Sequence, residues 1–157
     1  MTPTTLDVLS KSGLLAPGDA LPPLALLHRG VPFKPPATSK GTLYYFMRTA
    51  DCPVCRAHVR RLTQLWPTFE RAGFSVVVVV NDATGASSVA TSLKPPFPVV
   101  SGAEAHRGLG FERVLFGLVQ QSGTVVVDAR NVIVKLVRAT MPTSAFPEDD
   151  LLTLAGN

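Results

Sequence analysis

Four stretches of the chain have the apolar, β-branched or aromatic texture of strands. They are Leu43-Tyr-Tyr-Phe-Met47, Phe74-Ser-Val-Val-Val-Val-Val80, Thr124-Val-Val-Val-Asp128 and Val132-Ile-Val-Lys-Leu-Val137. Between the first two the period changes: Cys55, Val59, Leu62, Trp66 and Phe69 recur at spacings of four, three, four and three. That is a single core-facing stripe on a helix, which the pattern places from about Pro53 to Arg71. Gly73 stands where a helix commonly closes in the left-handed region. Pro67 falls inside the stripe and is expected to kink or restart the helix, because its ring clashes with the preceding turn. Strand, helix and a second strand apolar on both faces make a right-handed βαβ unit with a parallel sheet.

The rest of the chain extends that unit. After a loop over Asn81–Gly85 the pattern gives a short helix from Ala86 to Leu93, and a proline-rich approach, Lys94 to Val100, ending in a brief strand. Another short helix follows over Ala103–Gly108. Ala129-Arg-Asn131 is short enough to make the last two strands an antiparallel hairpin. Pro147-Glu-Asp-Asp150 puts proline and three acids at the start of a final helix, as the helix dipole favours. Before Leu43, the prolines around Leu21–Leu27 and Val31–Phe33 argue for edge-strand or irregular structure. Residues 1–17 read as a lead-in with a short helix over Leu6–Ser10, and residues 18–157 as one domain.

Composition narrows the function. The chain's 157 residues are 46% apolar, enough for a core without disulfide staples. The N-terminus lacks a basic then apolar signal pattern, and no apolar run reaches the roughly 20 residues that span a bilayer. The expected compartment is therefore the cytoplasm, without a membrane partner. A formal charge of +4 is mild. Its densest basic cluster, Arg56, His58, Arg60 and Arg61, reads as a solvated helix face, and no nucleic-acid partner is expected.

The candidate chemistry lies in Cys52-Pro-Val-Cys55, which holds both cysteines of the chain at the start of the long helix. Asp51 is the expected N-cap, and Pro53 suits the first turn because its missing N–H has no intrahelical partner there. Residues i and i+3 share a face, so the two sulfurs can close a small ring. Unpaired N–H groups at a helix start favour a thiolate, and Arg56, four residues on, leans back toward Cys52. Asp51 opposes both effects. Cys55 opens the buried stripe while Cys52 is expected at the tip, giving an attacking thiol and a sheltered resolving thiol. A zinc site from Cys52, Cys55 and His58 lacks a fourth ligand nearby, and no metal or organic cofactor is expected.

In its order of elements the chain resembles a thioredoxin-like domain: an α/β fold whose central mixed sheet is flanked by helices, here with an N-terminal extension. Within that superfamily it resembles the peroxiredoxins, the alkyl hydroperoxide reductase and thiol-specific antioxidant family. The residues carrying the resemblance are Gly18-Asp-Ala-Leu-Pro-Pro23, Thr49-Ala-Asp-Cys52, Pro96-Phe-Pro-Val-Val-Ser101, Ala105-His-Arg-Gly-Leu-Gly110 and Gly123-Thr-Val-Val-Val-Asp128. The resemblance implies that Cys52 attacks a hydroperoxide, with Thr49 hydrogen-bonding beside it. The sulfenic acid formed would then condense with Cys55. It also implies a reducing dithiol partner such as thioredoxin or glutathione, and it is compatible with a homodimer.

Three features depart from the family pattern. Tyr45 stands where the family has proline, Gln121-Ser-Gly123 stands where an arginine precedes the glycine, and the resolving cysteine is unusually close. Arg48, Arg56 and Arg107 are the candidates to replace the arginine. The Cys-x-x-Cys spacing itself is that of thioredoxin and glutaredoxin, although their cis-proline is replaced by Gly123. The leading expectation is a peroxiredoxin-like thiol peroxidase using Cys52, Cys55, Thr49 and Arg56. The alternatives are a dithiol–disulfide oxidoreductase and a non-enzymatic redox-sensing module.

Overall fold

The computed structural model describes residues 15–111, 113–114 and 119–156; the helix expected over Leu6–Ser10 lies outside them. The strands apolar on both faces take the centre of the sheet, where both faces are covered. These are β3 (Gly41–Phe46) and β4 (Phe74–Val80), parallel neighbours whose every residue is buried. Two short strands near the N-terminus, β1 (Leu27–His28) and β2 (Val31–Pro32), form an antiparallel pair at one edge. With β5 (Val99–Ser101), β8 (Ser122–Val127) and β9 (Ile133–Ala139) they build a seven-stranded mixed sheet of order β2-β1-β5-β4-β3-β8-β9. A separate two-stranded ribbon joins β6 (Arg113–Val114) to β7 (Val119–Gln120). The prolines before Leu43 thus end in an edge pair, where an N–H can be missing without breaking a ladder.

Side chains alternate across the sheet, so each central strand feeds two cores. Leu43 and Tyr45 of β3, Met47 just beyond it, and Val76, Val78 and Val80 of β4 face one side. There α1 (Pro53–Ala72) lays down Cys55, Val59, Leu62 and Phe69, beside α2 (Ala83–Leu93) and α4 (Glu148–Gly156). Tyr44, Phe46, Val77 and Val79 face the other side, covered by α3 (Ala103–Gly108), Leu109, Phe111 and, from the start of the domain, Leu21 and Leu26. This is the thioredoxin-like arrangement, a mixed sheet between helices. The first residues of the domain are pinned to the far edge, where Gly18 N–H donates to the Ile133 carbonyl at 2.8 Å.

Two local expectations need correction. Pro67 does not restart α1, which runs as one helix of 20 residues to Gly73. An interior proline costs about 3 kcal/mol. That cost is offset because Phe69, beyond the proline, stays in the same buried stripe as Leu62 before it. Gly73 then closes the helix at φ 94°, donating its N–H to the carbonyls of Glu70 and Phe69. Helix α2 starts at Ala83, three residues before the apolar pattern begins, because Asp82 caps it: its Oδ1 accepts the Gly85 N–H at 2.6 Å.

Candidate active site

The loop from β3 to α1 carries the candidate chemistry, and its capping differs by one residue from expectation. The N-cap is Cys52, not Asp51. Cys52 holds the extended conformation of a cap (φ −63°, ψ 115°), and its Sγ accepts the Cys55 backbone N–H at 3.4 Å. Pro53 fixes the first helical position, so the residue before it becomes the cap. Asp51 is left outside the helix, where its carboxylate accepts the Thr49 hydroxyl at 2.9 Å. The sulfur of Cys52 therefore occupies the site a capping oxygen normally fills, at the positive end of a 20-residue helix.

Capping also changes the exposure expected of Cys52. Folded back onto the first turn, it is only 4% exposed, and Cys55 is fully buried. Both are free thiols. The asymmetry lies in their partners. Cys55 Sγ accepts the Arg48 backbone N–H at 3.3 Å, and the Tyr45 hydroxyl also stands within side-chain hydrogen-bonding reach of it. Burial nevertheless dominates, pushing the Cys55 thiol up to about 11.

Arg56, expected beside Cys52, makes its hydrogen bonds to neither sulfur. Its guanidinium donates to the Ala50 carbonyl at 2.9 Å and to the Ser92 hydroxyl, bracing the loop against α2. Of the other candidates for the missing arginine, Arg107 pairs with Glu104, one helical turn away. The Arg48 side chain has no ion pair or hydrogen bond among the described residues, and its backbone lies directly on Cys55. Ser122, at the position just before Gly123, is fully buried with its hydroxyl unpartnered among the described residues. The described residues contain no group of three or more His, Cys, Asp or Glu side chains placed to hold a metal ion.

Two histidines flank this loop, His58 from the basic cluster and His106 from the stretch Ala105–Gly110. The Tyr45 hydroxyl lies 2.6 Å from His58 Nδ1, and Phe146 packs against both rings. His106, buried against Phe46, places Nε2 3.1 Å from the Met47 carbonyl and Nδ1 3.0 Å from the Gly102 carbonyl. Met47 and Arg48 share one peptide unit. His106 thus holds the carbonyl of the same group whose N–H reaches Cys55 Sγ. The signal for Tyr45 was visible as the departure from the family's proline. The His106 contact spans 59 residues and had none.

This site sits in a frame that comparison recognises. The Redoxin family model matches residues 16–154. The chain belongs to the Redoxin family. It is accordingly an oxidoreductase working through thiols, with a peroxiredoxin fold. Among solved structures it is similar to reduced Prx3 from Vibrio vulnificus, at 19% identity over 92% of this chain and 100% of that one, with a TM-score of 0.75. A peroxiredoxin-like protein from Aquifex aeolicus has 16% identity over 91% and 87% of the two chains, also at 0.75. Mycobacterium tuberculosis AhpC has 21% identity over 91% and 92%, at 0.70. No curated protein matches the chain. No described helix is long and apolar enough to cross a membrane.

Proposed function

We propose that this redoxin reduces hydroperoxides, with Cys52 attacking the peroxide and Cys55 resolving the product as an intramolecular disulfide. The observation that carries this reading is Cys52 Sγ capping α1 through the N–H of Cys55, which places a helix end and a second thiol at one sulfur. The Cys52 thiolate attacks one peroxide oxygen and the O–O bond breaks, leaving a sulfenic acid on Cys52, while the departing alkoxide or hydroxide takes a proton from solvent to leave as alcohol or water. Negative charge on the sulfur and the departing oxygen is opposed by fixed N–H dipoles of the first turn. The Thr49 hydroxyl, its proton committed to Asp51, acts as acceptor for the O–H of the incoming peroxide. Arg56 acts at one remove, by holding the Ala50 carbonyl and with it the loop. Cys55 then displaces the hydroxyl of the sulfenic acid, and the disulfide is returned to two thiols by a dithiol such as thioredoxin or by glutathione. A reducing compartment, the cytoplasm, suits such a cycle. A homodimer is compatible with it, but no step requires one.

The test is stoichiometric. One equivalent of hydrogen peroxide added to the reduced protein should remove two thiols and lower the mass by two hydrogens. In the Cys55→Ser variant the same treatment should leave a sulfenic acid on Cys52 that dimedone traps. Two thiols that survive an equivalent of peroxide would overturn the proposal.

A further inference from the structure

The proposed cycle leaves one proton without a path. Cys55 must lose its proton to attack, yet it is fully buried and its thiol is pushed up to about 11. At neutral pH only about one molecule in ten thousand would hold it as a thiolate. The Arg48 N–H can stabilise the thiolate but cannot accept a proton.

The surroundings of Cys55 contain an acceptor chain that no step above has used. The Tyr45 ring is completely buried on β3, and its hydroxyl faces Cys55 on one side and His58 Nδ1, at 2.6 Å, on the other. His58 projects from α1 one turn beyond Cys55 and is only half-buried, so its ring connects the core to solvent. Phe146 packs on both rings and Tyr45 meets His58 edge-on, which fixes their orientation. One hydroxyl proton faces two acceptors. When Tyr45 donates to His58, its oxygen is free to receive the proton of Cys55.

We propose that Tyr45 and His58 form the proton relay that activates Cys55 as the resolving thiol. This rests on the reading of Cys55 as the thiol that condenses with the Cys52 sulfenic acid. In that step the Cys55 proton passes to the Tyr45 oxygen as the Tyr45 proton passes to His58 Nδ1. The Cys55 sulfur forms the S–S bond, the S–O bond of the sulfenic acid breaks, and the electron pair leaves with hydroxide. His58 returns its proton to solvent and the hydroxide takes one up, so the sum is sulfenic acid plus thiol giving disulfide plus water. Both sulfurs end at the disulfide level, the Cys55 sulfur rising by one oxidation unit as the Cys52 sulfur falls by one, so no outside oxidant or reductant enters. In this step Tyr45 exchanges a proton with the reacting thiol, and His58 acts through it. The tyrosine ring itself stays protonated throughout, since burial and the neighbouring thiols push its ionisation far upward.

The titratable groups that face one another here are Tyr45, Cys52, Cys55 and His58, with burial lowering His58 below its usual range. Arg61, one turn along α1 from His58, is paired with Glu148 of α4. Phe146, the neighbour from the following segment, is uncharged.

Rapid mixing of the reduced protein with hydrogen peroxide, followed by tryptophan fluorescence and acid-quenched mass spectrometry, separates sulfenic acid formation from disulfide formation. Tyr45→Phe keeps the ring and removes the relay oxygen. His58→Asn keeps a hydrogen-bond acceptor for Tyr45 but not a base. Both should slow the second phase at least tenfold relative to the first at pH 7. In the parent protein the second phase should rise with pH along a limb below 6.5, and His58→Asn should lose that limb. A disulfide forming at an unchanged rate in both variants overturns the relay and leaves the proposed function standing. Full retention in His58→Asn alone would make His58 a structural neighbour and also overturn it. If the parent protein forms no intramolecular disulfide at all, the relay and the function it rests on fall together.

Discussion

Replacing His106 by leucine should weaken the fold and disturb Cys55 through a single peptide group. The side chain is 1% exposed and meets Phe46 edge-on at 4.9 Å between ring centroids. Its two carbonyl contacts are not equivalent. Gly102 already receives the backbone N–H of residue 106 at 3.1 Å, which leucine retains, whereas the Met47 carbonyl depends on His106 Nε2. The dominant loss is therefore one buried carbonyl left without that donor, costing about 1–3 kcal/mol. The aromatic contact adds about 0.5–1.5 kcal/mol. For a chain of this size, 2 kcal/mol corresponds to a fall in Tm of roughly 4–8 °C.

The pH dependence supplies a second signature. Burial holds His106 below its ordinary value despite the two carbonyls, so the folded protein takes up this proton at lower pH than the unfolded chain. Its contribution is complete above about pH 6.5 and is lost as the pH falls toward the folded value, with a slope of at most about 1.4 kcal/mol per pH unit. His58 carries the same sign, so the parent protein has two such contributors and the variant one. Urea unfolding of both proteins between pH 5 and 7.5 measures the loss and the slope together. A variant within 0.5 kcal/mol of the parent at pH 7.5, with an identical pH slope, would refute the reasoning.

Two further outcomes follow from the site and its frame. Iodoacetamide at pH 7.5 should modify Cys52 well before Cys55, whose thiol burial pushes up to about 11; peptide mapping that finds Cys55 labelled first would reverse their roles. Gly123→Ala should destabilise by more than about 3 kcal/mol, because the added methyl would sit 1.8 Å from the Val137 carbonyl oxygen and 2.5 Å from Phe111 Cε1; chemical denaturation should show it directly.

Patterns of short range carried most of the fold. Strands β3 and β4, the stripe of α1 and the final hairpin all declare themselves through side-chain period, which local sequence encodes. What the pattern mislaid was set by single polar groups or by distant packing. The cap moved from Asp51 to Cys52 because Pro53 fixes the first helical turn, and α2 gained a turn because Asp82 caps it. The prolines around the short β1–β2 pair left edge strand and irregular structure equally open, and what decides for strand is pairing with β5, where Leu27 meets Ser101. At the site, the two thiols were legible from spacing alone. The redirected Arg56 was not, because Ser92 on α2 and the Ala50 carbonyl compete for its guanidinium. Tyr45 was legible only as an anomaly, until the structure put His58 beside it.

The central claim, that Cys52 attacks peroxide in a site built for it, is tested most directly by stopped-flow oxidation of the Cys55→Ser variant with hydrogen peroxide. Without a resolving thiol the signal reports the first step alone. The rate should exceed that of a free thiol of matched pKa, and adding Thr49→Val should lower it about tenfold, equivalent to roughly 1.4 kcal/mol for one transition-state hydrogen bond. A rate equal to the free thiol's and indifferent to Thr49→Val would contradict the account.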